Sequence, residues 1–184
     1  MARPLTLVIT GGNTGLGLAA LQSFLSSPTP HYRIIIGSRS PTSATAACAS
    51  LRALHPEAPH DVLWLPLDLV ERGSVEEFVR GVEEEVAENG VDCVVLNAAV
   101  YKPALVLQES GWCEEAVVNH FGESWFGEKA LELMASSATS TPSPAVSLAL
   151  RCSCAPSNRL CLVHQDILDL IPVCATRCSP LNSY

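Results

Sequence analysis

Near its start the chain reads Thr10-Gly11-Gly12-Asn13-Thr14-Gly15-Leu16-Gly17, four glycines in eight residues. Glycines so spaced let the backbone turn through positive φ and come close to a ligand. An apolar run, Leu5 to Thr10, precedes the cluster. Apolar residues at helical spacing (Leu18, Leu21, Leu25) follow it. A glycine loop between a strand and a helix presents free N–H groups and the positive end of the helix dipole, which suits a pyrophosphate. The expected binding positions are Thr10, Gly11, Asn13, Thr14, Gly15, Leu16 and Gly17.

About twenty residues further on, an acidic side chain would hydrogen-bond a ribose 2′-OH and select NAD. The segment there is Gly37-Ser38-Arg39-Ser40, and the next acid is Glu57. Ser38 and Arg39 offer a hydroxyl and a cation instead, suited to a 2′-phosphate. NADP(H) is therefore the expected cofactor. Two more short segments, Leu67-Asp68-Leu69 and Leu96-Asn97-Ala98-Ala99, follow apolar runs. They fall at the C-terminal strand ends, where ligands of open parallel sheets bind. Taken singly, Asp68 also suits a turn cap and Asn97 a turn.

The elements that would position these groups alternate regularly. Arg33 to Gly37 is a second strand, apolar on both faces as buried parallel strands are. Pro41 to Leu54 reads as an alanine-rich helix with proline in its first turn. Asp61 to Pro66 is a third strand. Ser74-Val75-Glu76-Glu77 reads as a capping box opening a helix that Asn89-Gly90 ends. Val91 to Leu96 is a fourth strand. The alternation calls for an α/β fold, a Rossmann-type parallel sheet with helices on both faces.

In this order and context the segments resemble the short-chain dehydrogenase/reductase family. Its TGxxxGxG motif is matched by Thr10, Gly11, Gly15 and Gly17, and its Asp after the third strand by Asp68. Asn97-Ala98-Ala99 matches its NNAG-like segment loosely, with Leu96 and Val100 at the flanking positions. Val118-Asn119-His120-Phe121-Gly122 is similar to the helix that carries the family's catalytic Asn, which assigns Asn119. The Ser-Arg pair after the second strand is similar to the retinol-dehydrogenase and protochlorophyllide-reductase-like branch. The resemblance covers about two thirds of the chain. It implies hydride transfer between NADP(H) and a carbonyl or alcohol substrate, and it leaves a homodimer through the Asn119 helix open.

The family also uses a Tyr with a Lys four residues later, because a phenol with a reference pKa near 10 needs a nearby cation to work at neutral pH. Four residues beyond Tyr32 stands Ile36, beyond Tyr101 stands Leu105, and Tyr184 is the last residue. No Tyr-x-x-x-Lys occurs. A nucleotide-binding module without turnover, or a truncated product, is thus the alternative to an active reductase.

Composition also breaks near Met134. Residues 1–133 carry 8 basic and 17 acidic side chains, and 134–184 carry 3 and 2. The last glycine is Gly127 and the last phenylalanine Phe126. The expected organisation is a nucleotide-binding half-domain, 1–133, followed by a Ser/Pro/Cys-rich irregular tail, 134–184, the sheet being truncated or divergent after its fourth strand. An altered reading frame would account for this break. The alternative is a divergent tail in which 145–150 or 160–164 supplies a strand beside the fourth. The tail's Cys152, Cys154, Cys161, His164, Cys174 and Cys178 contain no C-x-x-C pair, so no metal site is expected. A net charge of -8 disfavours nucleic acid. Without a signal-peptide pattern or a long apolar run, no membrane partner is expected and the cytosol is the expected address.

Overall fold

The computed structural model describes residues 3–137, apart from 27, 29, 58, 59, 88 and 109, together with 146–149. Strands β1 (Leu5–Thr10), β2 (Tyr32–Ser38), β3 (Asp61–Pro66) and β4 (Cys93–Leu96) alternate with helices α1 (Gly15–Phe24), α2 (Pro41–Arg52) and α3 (Arg72–Val86). After β4 come a loop, a single helical turn α4 (Glu114–Ala116), a π-helical stretch Val117–Gly122, helix α5 (Glu123–Ser137) and strand β5 (Val146–Ala149). All strand pairings are parallel, in the order β3-β2-β1-β4-β5.

That order follows from the way apolar residues are distributed. Strands β1 and β2 are apolar on both faces because both faces are covered. Val8, Ile35 and Val94 point to one side, where they meet Val75, Phe78 and Val82 of α3 and Phe126 and Ala130 of α5. Leu7, Ile9, Ile34, Ile36 and Val95 point to the other, against Leu21 of α1 and Cys48 and Leu51 of α2. Phe78 and Phe126 meet edge to face at 5.3 Å in the first of these layers. Each such fully buried side chain contributes about 1.5–3 kcal/mol. An ion pair fixes the foot of the sheet: Arg3 holds both carboxylate oxygens of Asp92 at 2.6 and 2.7 Å, and Asp92 accepts the Thr6 N–H at 2.8 Å.

The chain steps outward from β1 to β3, then crosses to the opposite side of β1 to form β4. The switch point between β1 and β4 is where open α/β sheets leave a crevice at the carboxyl ends of their strands.

Two features differ from the sequence-based expectation. Helix α3 begins at Arg72 with Glu71 as its N-cap, not at a Ser74 capping box. The Ser74 hydroxyl is used elsewhere, accepting the Asp68 N–H at 2.9 Å. Helix α5 runs on past the composition break, because Leu133 and Met134 are buried against the α3 layer. Beyond β4 the sheet continues as the divergent-tail alternative has it: β5 pairs with β4 in the register Cys93↔Val146 to Leu96↔Ala149, within the segment 145–150. The remaining tail, with its cysteines and the segment 160–164, lies outside the described residues. Among the described residues no helix is long and apolar enough to cross a membrane.

Candidate functional site

The first turn of α1 opens at the switch point. Thr14, its N-cap, is extended, and no side chain caps the helix. The first intrahelical bond runs from Leu18 N–H to the Thr14 carbonyl at 3.2 Å, so the N–H groups ahead of it have no partner within the helix. No acidic residue stands in that turn. Gly15 has φ +54°, and a Cβ there would face open space. Gly17 is glycine for a different reason: a Cβ would lie 2.5 Å from both the Gly11 carbonyl oxygen and Asn97 Nδ2. The turn is thus an open, uncapped concavity of backbone, the form that suits phosphate oxygens.

The glycine loop is held from two sides. Asn97, at the end of β4, donates from Nδ2 to the carbonyls of Thr10 and Gly11 at 2.9 and 3.1 Å. Asn13 donates from Nδ2 to Ser43 Oγ of α2 at 2.8 Å. Thr10 sits behind the loop, fully buried, with its hydroxyl accepting the N–H groups of Asn97 and Ala98 at 2.9 Å each.

A cleft of about 900 Å³ lies over these strand ends. Gly11, Asn13, Thr14, Gly15, Leu16, Gly17, Ser38, Arg39, Asp68, Leu69, Asn97, Ala98, Ala99 and Asn119 all line it, whereas Thr10 does not. The structure therefore brings every expected site residue but Thr10 to one cavity. Ser38 is buried there, and its hydroxyl is engaged with Ser40, accepting the N–H at 3.2 Å and donating to the carbonyl at 3.4 Å. The Asp68 carboxylate accepts the Val70 N–H at 3.0 Å, a turn-capping contact.

Asn119 lies within the π-helical stretch, a form that recurs at functional sites. Its amide is used twice on one residue: Oδ1 accepts the Val100 N–H and Nδ2 donates to the Val100 carbonyl, both at 2.8 Å. It thereby sets the path of the loop that leaves β4 along the cleft.

Sequence reasoning missed Val100, Tyr101, Lys102, Leu105 and Glu115, which also line the cleft. The first three follow directly from Asn97-Ala98-Ala99, and that adjacency was the available clue. Charge at the rim is organised by Glu114. Its Oε1 lies 3.2 Å from Arg39 Nη1 and its Oε2 3.2 Å from Lys102 Nζ. Arg39 first, then Lys102, hold the Glu114 carboxyl below the usual carboxylate range.

Comparison with known proteins identifies the family. The sequence profile of the short chain dehydrogenases matches residues 5–141. A short-chain dehydrogenase/reductase of Pestalotiopsis microspora is 34% identical over 122 residues, 65% of this chain and 41% of that protein. The chloroplastic protochlorophyllide reductase B of Hordeum vulgare is 30% identical over 128 residues, 68% of this chain and 30% of its own length. Among solved structures, the alcohol dehydrogenase of Thermococcus sibiricus, complexed with 5-hydroxy-NADP, superposes with a TM-score of 0.62 at 26% identity. That match covers 80% of this chain and 57% of the other. The chain thus spans less than half the length of the two curated relatives. On its motifs, its sheet order and these matches, the chain belongs to the short-chain dehydrogenase/reductase family, oxidoreductases that bind nicotinamide cofactors.

Proposed function

We propose that the cleft binds NADP(H) and that the chain is the cofactor-binding part of an oxidoreductase acting on a small carbonyl or alcohol substrate. The observation that carries this reading is the pairing of an uncapped glycine turn at α1 with Arg39 beyond β2, where an acid would have favoured NAD. The dinucleotide, when bound, supplies the hydride-exchanging nicotinamide. The residues of this chain bind and orient: the Gly11 to Gly17 turn takes the pyrophosphate, Arg39 the 2′-phosphate, and Asp68 with Leu69 the adenine side. Asn97, Ala98 and Ala99 form the wall over β4, and Asn119 holds that wall through Val100. The alcohol dehydrogenase similar to this chain, which holds a derivative of NADP, supports the choice of cofactor.

Fluorescence titration with NADPH and NADH tests it. We expect NADPH to bind at least about tenfold more tightly, the worth of one charge-assisted phosphate contact. Arg39→Ala should remove the difference, and Gly15→Asp should abolish binding of both. Equal affinity, or a preference for NADH, would overturn the assignment.

One observation favours a second reading, a nucleotide-binding module without turnover: no Tyr-x-x-x-Lys occurs among the 184 residues. That reading expects NADPH binding with no carbonyl-dependent NADPH oxidation above a Gly15→Asp control. Turnover above that control refutes it.

A further inference from the structure

Two cations from distant segments converge on one carboxylate at the rim of the cleft. Arg39 reaches Glu114 Oε1 from the end of β2, and Lys102 reaches Glu114 Oε2 from the loop after β4, each at 3.2 Å. Arg39 and Lys102 line the cleft, whereas Glu114 does not. The Arg39 and Lys102 side chains remain 54% and 49% exposed, and that of Glu114 is 23% exposed. The neighbouring Glu115 accepts the backbone N–H of Lys102 at 2.8 Å, so the main chain from which the ammonium extends is fixed as well. One guanidinium and one ammonium are thereby held together, although 63 positions separate them in the chain.

A phosphate monoester carries roughly −1.5 to −2 charge at neutral pH. One guanidinium neutralises only part of that, and two cations on one anion make a stronger site. We propose that Lys102 acts with Arg39 as a second cation for the 2′-phosphate of NADP(H), and that Glu114 is an internal carboxylate that competes with that phosphate for both. The inference rests on the NADP(H) reading of the cleft. Glu114 satisfies the two cations and keeps them together. When the dinucleotide binds, its phosphate draws on the same two charges. Glu114 thus sets how strongly the site discriminates NADPH from NADH, which lacks the phosphate and makes no demand on the triad.

Titration of the full chain with NADPH and NADH reads this directly, without any need for turnover. Exposed ion pairs are individually weak, so the expected effects are modest. Glu114→Gln should tighten NADPH about fivefold and Lys102→Gln should weaken it by a similar factor, with NADH affinity unchanged in both. The Glu114→Gln gain should shrink as salt is raised to about 0.3 M, because the charges are exposed. Unchanged NADH binding also reports an intact cleft, and Lys102→Gln keeps the test open should Glu114→Gln not fold. If Arg39→Ala removes the NADPH preference while Glu114→Gln and Lys102→Gln alter neither affinity, the competing-carboxylate proposal fails and the cofactor assignment stands. Weaker NADPH binding in Glu114→Gln would also overturn it, since Glu114 would then be orienting Arg39 for the phosphate. A wild-type chain with no preference for NADPH would remove the cofactor assignment itself.

Discussion

The hydroxyl of Thr10 donates to Oε1 of Glu123 at 2.7 Å, with Thr10 at 0% and Glu123 at 4% exposure. Thr10 Oγ1 also accepts the N–H groups of Asn97 and Ala98. One hydroxyl therefore joins the end of β1, the end of β4 and the start of α5, elements that converge behind the glycine turn. Thr10 lines no part of the cleft, yet it fixes the two strand ends that do.

Replacing Thr10 by valine keeps the shape and removes all three bonds, leaving the N–H groups of Asn97 and Ala98 without this acceptor. We expect a loss of about 2–4 kcal/mol in urea denaturation. Thr10→Ser, which keeps the hydroxyl, should lose about 1 kcal/mol or less. A larger loss in Thr10→Ser than in Thr10→Val would mean that the methyl group, not the hydrogen bonds, matters at this position.

Gly17 and Gly15 make a contrasting pair. A methyl at Gly17 meets the Gly11 carbonyl and Asn97 Nδ2, both parts of the glycine turn and its support. Gly17→Ala should therefore cost about 1–3 kcal/mol of stability and weaken dinucleotide binding, because the turn has to open. A methyl at Gly15 meets open space and pays only for its positive φ, about 1–2 kcal/mol. Thermal melts of the two variants, with a cofactor titration of each, check the order. A Gly17→Ala protein that melts with the wild type would show that the close approach is not maintained in solution.

Much of this site is legible in the sequence because its parts are short segments at strand ends. Gly11 to Gly17, Ser38-Arg39, Asp68-Leu69 and Asn97 to Ala99 each follow an apolar run, and a parallel sheet brings all such ends to one edge. What was not legible depends on pairs far apart in the chain. Glu123 meets Thr10 across 113 positions, and Glu114 meets Arg39 across 75. No local pattern marks either acid. Ser74 misled for the converse reason: its spacing to Glu77 fits a capping box, while its hydroxyl is taken by the Asp68 N–H. Strand β5 arises beyond the composition break because pairing with β4 requires backbone groups and a short extended run, not the glycines and aromatics that mark the first half.

Asn119 provides a test that separates positioning from mere packing. Its two bonds to Val100 form a closed pair in which the amide supplies one acceptor and one donor. Asn119→Asp retains the acceptor for the Val100 N–H but sets a second oxygen against the Val100 carbonyl. Asn119→Ala removes both. We expect each to lose about 1–3 kcal/mol. Hydrogen exchange at the Val100 amide should separate them, with protection retained in Asn119→Asp and lost in Asn119→Ala. Protection that survives in Asn119→Ala would mean that another group holds this loop.

Burial, reinforced by the neighbouring carboxylate of Asp92, pushes the Cys93 thiol up to about 11. Burial raises Cys48 and Tyr32 in the same direction. For an acid whose pKa rises on folding, the neutral form is favoured only in the folded chain. The resulting stabilisation is complete below the unfolded value, about 8.5 for a thiol, and is lost as pH climbs toward the folded value. Stability measured by urea should therefore fall between about pH 8.5 and 11, with Cys93 accounting for roughly 3 kcal/mol of the decline. Cys93→Ala should flatten that part of the curve, while Cys48 and Tyr32 continue to contribute. Thiol labelling gives an independent check, since the thiolate is the reactive form and Cys93 should label only on unfolding at pH 8. A Cys93→Ala curve that falls as steeply as the wild type would show that this thiol is not what makes the fold sensitive to alkali.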